Sequence, residues 1–271
     1  MDEYIIEFFT LPFLRNALFA TLFIGVLCSI LGIYIVLKRM VFFSAALAQI
    51  ATAGLALAFL LGLNPTISSF GLTIIAILIF SRNPSWGKIP LDSILGIGYI
   101  GAFALSILFM AKSAVGLEEL HHLLEGNILT VNINQVYISL VLLLSIGLIH
   151  LIFKKEFLFI SYDPEMARTQ GYQVQWWNFF LYFTMGMVIS YGIRISGVLL
   201  IFAMLVMPAV LALQISKKIK WTFIISIVVN IISIVSGLFI SFYFDLPSGP
   251  AIITVLLGVL LGGSLFRTFT R

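Results

Sequence analysis

Apolar runs of about 20 residues, almost free of charge, recur along the whole chain and leave few folds open to it. Hydrocarbon supplies no partner for a backbone N–H or C=O, so a run that crosses it pairs those groups within itself, as a helix. The other membrane solution, a β-barrel, is written as short alternating strands, whereas these runs are continuous. Only 10% of the 271 residues are charged and 61% are hydrophobic, against about 25% charged in soluble domains. The expected fold is all-α, a polytopic helical membrane protein. Nine spans are expected, at 14–37, 41–63, 66–80, 91–111, 135–153, 176–192, 195–214, 221–244 and 249–266. The third is short, so eight is also possible. The sixth and seventh are divided only by a small break at Gly192-Ile193-Arg194.

Charge sets the expected orientation. With the N-terminus outside and the C-terminus inside, the inner segments hold Lys38, Arg39, Arg82, Lys88, Lys154, Lys155, Arg168, Lys217, Lys218, Lys220, Arg267 and Arg271. The outer ones hold only Arg15, Lys112 and Arg194. Cytoplasmic loops carry such an excess of Lys and Arg. The acidic stretch 118–125 and Asp245 then lie outside.

Several function classes are excluded. The net charge of +4 resides at span ends, where topology explains it, so nucleic acid is not an expected partner; membrane lipid is. The start Met1-Asp2-Glu3 is acidic, unlike a secretory signal, so the spans are expected to be retained. Cys28 is the only cysteine and reads as packing. Gly96-Ile-Gly-Tyr-Ile-Gly101 matches a dinucleotide fingerprint in letters only: it lies inside a span, with no strand before it, and reads as helix packing. An intramembrane metalloprotease needs H-E-x-x-H, which is absent. Small residues at Ser44, Ala48, Thr52 and Ala56, and at Gly258 and Gly262, recur every fourth position and are read as packing faces within the chain. The connections are too short for a nucleotide-binding or receptor domain, so 1–271 reads as one transmembrane domain.

One polar island stands out, Ser161-Tyr-Asp-Pro-Glu-Met-Ala-Arg-Thr-Gln-Gly171. Pro164 in a first turn, Asp163 before it and Glu165 just inside predict a short helix start; Gly171 predicts its stop. A helix that short is unstable alone and must rest on the bundle, leaving its other side for a soluble partner.

Taken in order, several stretches resemble the permease subunits of the bacterial zinc/manganese/iron ABC importers. They are Leu31-Gly-Ile-Tyr-Ile-Val-Leu-Lys-Arg-Met40, Leu61-Gly-Leu-Asn-Pro65, Ile94-Leu-Gly-Ile97, Leu124-Glu-Gly-Asn-Ile-Leu-Thr130, Asp163-Pro-Glu-x-Ala-x-x-x-Gly171, Gly197-Val-Leu-Leu200, Met207-Pro-Ala209 and Asp245-Leu-Pro-Ser-Gly-Pro250. The resemblance implies a homodimeric permease of the bacterial cytoplasmic membrane. It implies a separate cytoplasmic ABC ATPase gripping Asp163, Glu165, Ala167 and Gly171, and an extracytoplasmic metal-binding receptor protein. The permease would be no enzyme and hold no permanent cofactor; a divalent metal ion would be its cargo, and ATP would bind the partner.

The chain departs from that family in its second span. Members usually carry Asp-Ala-Leu-Ser-His there, an acid and an imidazole on one helix face; this chain has Ala45-Ala-Leu-Ala-Gln49. Gln49 offers a carbonyl oxygen to a path, or simply a hydrogen bond between helices. In the outer loop, Glu125 replaces a usual aromatic and follows His121 and His122 at helical spacing. Imidazole with carboxylate suits zinc, manganese or ferrous iron, though a solvated loop reads equally from these letters. Asp245 is a further acid at an outer span end, better suited to a turn than to a cation. An importer of a metal chelate (haem, cobalamin or a metallophore) is the alternative that the missing Asp and His favour; a passive channel is disfavoured by the polar island.

Overall fold

The computed structural model describes residues 11–81, 90–113 and 131–269. Among them eleven helices follow in order: α1 (Pro12–Leu37), α2 (Val41–Leu61), α3 (Pro65–Ser81), α4 (Leu91–Lys112), α5 (Ile133–Ile152), α6 (Lys154–Tyr162), α7 (Pro164–Thr169), α8 (Val174–Ser196), α9 (Val198–Ile215), α10 (Ile219–Phe244) and α11 (Ser248–Phe269). Each of the nine apolar runs is a helix. Eight are long and apolar enough to cross a membrane; α3, at 17 residues, is shorter.

Local chemistry sets the ends. Pro12 opens α1, where its missing N–H costs nothing. Gly62 closes α2 with a φ of 68°, which glycine adopts without penalty. Asn132 and Gln135 cap α5 reciprocally, each side chain accepting from the other's backbone N–H. Between the sixth and seventh spans the expected break is displaced. Gly192 lies within α8, and the chain turns at Gly197, whose φ is 78°. Gly192 instead admits a neighbour: a methyl group there would lie 2.4 Å from Ile201 Cδ1 and 3.1 Å from Ile24 Cγ2. Its glycine serves packing, not a turn.

Helix α1 runs through the middle, touching α5, α6, α8, α9 and α10. One side chain ties it to both α9 and α10. Pro208, inside α9, has no N–H for the carbonyl of Met204 four residues back. Asn230 of α10 donates to Gly25 O and Ser29 Oγ of α1 at 2.8 Å each, and shares one of its two amide hydrogens with that carbonyl at 3.3 Å. The amide thus replaces the donor that Pro208 lacks, in a place without water. Asn230→Leu should destabilise the folded chain by about 1–2 kcal/mol, the range for such bonds between membrane helices. It should cost clearly less in a Pro208→Ala background, where α9 can supply its own donor. Thermal unfolding of both single variants and the double in detergent measures the coupling; simple additivity would sink this account.

The small face of α2 is fully enclosed, as expected of intrachain packing: Ser44, Ala48, Thr52 and Ala56 are all buried. The corresponding expectation for α11 is corrected. Among the described residues nothing lies within 4 Å of a methyl built on Gly258 or Gly262, so that face packs against none of them. The Gly96–Gly101 letters lie wholly inside α4, with Gly98 against the Phe80 ring, which leaves no phosphate-binding loop.

Candidate coupling and transport sites

The polar island folds as its letters predict. Helix α7 is six residues long. Asp163 caps it, accepting from the backbone N–H of Met166 at 2.9 Å, and Pro164 occupies its first turn. Gly171 follows with a φ of 85°, a left-handed position that side-chain-bearing residues resist. Ala167 is fully buried, whereas Glu165, Met166 and Arg168 are exposed. One small residue thus seats the helix on the bundle, and charged and apolar side chains face out.

The support of α7 is α6, which the sequence reading passed over. Phe157 of α6 is fully buried in an aromatic cluster. It stacks on His150 of α5, with centroids 4.4 Å apart, meets Tyr34 of α1 at 5.9 Å, and meets Trp177 and Phe180 of α8. Thr184 spends its hydroxyl proton on Leu181 O, so His150 Nε2 must donate to Thr184 Oγ1 across 3.1 Å. His150 Nδ1 and the Tyr34 hydroxyl are buried without a partner. Helix α6 is thus joined to α1, α5 and α8 through close-packed rings rather than through a loose loop.

At the same end of the bundle, Lys38 follows α1 and turns inward. Its Nζ donates to Asn178 Oδ1 at 2.7 Å and Ile160 O at 3.2 Å, and lies 6.0 Å from the Tyr182 ring centroid. Among the described residues no carboxylate pairs with it, and burial pushes its ammonium down to about 8.

Ala45 and Gln49 lie one turn apart on α2, both largely buried. Gln49 Oε1 has no hydrogen-bond donor. The hydroxyls of Ser44 and Thr52 bond to their own helix. Among the described residues, Gln49 thus holds the one buried side-chain polar atom of α2 that has no partner. Asp245 ends α10 in a left-handed conformation and is exposed; Ser241 closes the turn by donating to Leu246 O at 2.6 Å. His121, His122 and Glu125 lie outside the described residues. Among the described residues, no group of three or more His, Cys, Asp or Glu side chains is arranged to hold a metal ion.

The ABC 3 transport family matches residues 10–267. The manganese import system permease protein ScaB of Streptococcus gordonii is 31% identical over 255 residues, covering 93% of this chain and 91% of that one. The chelated iron transport system membrane protein YfeD of Yersinia pestis is 28% identical over 249 residues, covering 92% and 84%. Among solved structures, PsaBC from Streptococcus pneumoniae in complex with Fab superposes with a TM-score of 0.87 at 27% identity, covering 97% of this chain and 94% of that one. These matches, with the apolar helices, describe a multi-pass protein of the cytoplasmic membrane that is a transport subunit, ATP hydrolysis falling to a separate partner. The chain belongs to the ABC 3 transport family.

Proposed function

We propose that this chain is the membrane subunit of an ATP-driven importer of divalent transition-metal ions (manganese, iron or zinc). It works as a homodimer, with α7 held by a cytoplasmic ABC ATPase and the opposite end facing an extracytoplasmic metal-binding receptor. The N-terminus is outside and the C-terminus inside. The observation that carries the reading is family membership over nearly the full chain, joined to a capped, outward-facing α7 on a rigid aromatic seat.

A second reading, import of a metal chelate, is favoured by one observation. Gln49 and Ala45 stand where the resembling permeases carry His and Asp, so a bare ion would meet one neutral amide oxygen on α2. Uptake separates the two. The chain is reconstituted in vesicles with its ATPase and receptor and offered Mn²⁺, Fe²⁺, Zn²⁺, Co²⁺ and Ni²⁺ together, and trapped metal is measured with and without ATP. The expected result is ATP-dependent accumulation of one ion. ATP hydrolysis without accumulation of any free ion would defeat the metal-ion reading and favour a chelate. The same assay tests Gln49: Gln49→Ala is expected to reduce uptake several-fold, whereas unchanged uptake would assign the amide to packing.

A further inference from the structure

Beside α7 lies a cavity of about 870 Å³ whose charge is unbalanced. Lys38, Arg39 and Arg168 line it, with Ser161, Asn178 and Tyr182, and among the described residues no aspartate or glutamate does. Lys38 is held there by neutral groups alone, Asn178 Oδ1 and Ile160 O. Arg39 takes a φ of 57°, a conformation that non-glycine residues avoid and that collects at ligand sites. A chamber lined by three cationic side chains, with no acid among its described lining residues, calls for an anion.

The neighbouring cavity, about 750 Å³, says which kind. The two share Ser81, Arg168, Val174 and Gln175 as a common wall. The second continues along Leu78, Phe179 and Trp176, on the flanks of α3 and α8. Leu78 is 45% and Trp176 63% exposed, so it opens on the apolar side of the bundle. A polar acidic loop of a protein would gain nothing from that groove. A molecule with an anionic head and hydrocarbon tails fits both chambers. Glu165 and Met166, the outward residues of α7, do not line the cavity and stay free for another partner.

We propose that these joined chambers bind one anionic phospholipid, its phosphate among Lys38, Arg39 and Arg168 and its acyl chains along Leu78, Phe179 and Trp176. Arg168 belongs to α7, so the lipid headgroup touches the coupling segment and helps to set its position. The assignment of this end to the cytoplasmic leaflet rests on the importer reading; the binding itself does not.

Native mass spectrometry of the full-length chain in detergent tests it, with phosphatidylglycerol and phosphatidylcholine of identical acyl chains added in equal amounts. Wild type should retain phosphatidylglycerol over phosphatidylcholine by at least about fivefold, a modest return from several basic residues near one headgroup. Lys38→Gln with Arg168→Gln should abolish the preference, Lys38→Arg should keep it, and Lys220→Gln, an exposed lysine outside the cavity, should leave it unchanged. If the double variant does not purify as a single species, Arg168→Gln alone, at an exposed side chain, should at least halve the preference. Equal retention of both lipids by wild type overturns the proposal, as does a preference that survives these substitutions. An equal loss in Lys220→Gln would mean diffuse attraction, and displacement of the lipid by inorganic phosphate would mean a free-anion site; either overturns it. The assay contains no ATPase, receptor or metal, so a failed uptake experiment and a failed lipid experiment tell different stories.

Discussion

Gly32→Ala should destabilise the folded chain by about 3 kcal/mol or more, the upper range for overpacking, even though it adds one methyl group. That methyl would lie 1.8 Å from the carbonyl oxygen of Leu205, 2.8 Å from its carbon and 3.3 Å from Ala209 Cβ. The obstacle is backbone, so no rotamer change relieves it; α1 and α9 must separate. Separation would also strain the Asn230 amide, which reaches from α10 to Gly25 O on α1 and to Met204 O on α9 and so spans the same gap. The matched control is Gly258→Ala, where a methyl meets nothing within 4 Å. Thermal midpoints of the two variants in one detergent should differ sharply, with Gly258→Ala near wild type. Equal midpoints would mean that the α1–α9 contact is looser than described.

The second large effect concerns transport. Glu165→Arg combined with Gly171→Leu should lower ATP-driven uptake at least tenfold and abolish co-purification with the ATPase, while the chain still folds. Glu165 is exposed, so reversing its charge alters the surface offered to a partner and little else. Gly171 has a φ of 85°, and a leucine forced into left-handed backbone costs roughly 1–2 kcal/mol. The cost falls on the stop of α7, where Tyr172 N–H bonds Ala167 O at 3.1 Å. A normal complex and normal uptake in the double variant would remove α7 from the coupling role.

Both effects depend on features that were unequally visible in the letters. The apolar runs were legible because lipid permits a single-chain segment almost nothing but a helix. Helix α7 was legible because its cap, its proline and its stop lie within a few residues of one another. Gly192 and Gly197 show the limit. Each is a glycine near the end of an apolar run, and only the neighbours in space, Ile24 and Ile201 against Gly192, tell packing from turn. Asn230 was hidden for the same reason, since the proline it compensates lies on another helix. A polar amide inside an apolar run is nevertheless a signal for a partner, and heeding it would have singled Asn230 out. Lys38 read as a topological stop; only its three-dimensional surroundings show a cation without a counter-charge. Helix α6 escaped notice because Lys154, Lys155 and Glu156 precede its apolar face and interrupt the run.

The unequal lengths of the spans bear on the membrane as a material. Helix α3, with 17 residues, is roughly 25 Å long, whereas α1 and α10, with 26 each, are roughly 39 Å. The outer face of α3 is apolar and open, at Ile67, Ile75, Leu78 and Ile79. A hydrocarbon layer of about 30 Å must therefore dimple beside α3 or α3 must be shielded, while the long helices tilt to fit. Where α3 is not shielded, the molecule deforms an elastic sheet on that side. The bending and compression of the lipid around it enter the same free-energy balance as its own helix contacts, and a change in bilayer thickness acts on the protein as a lateral force.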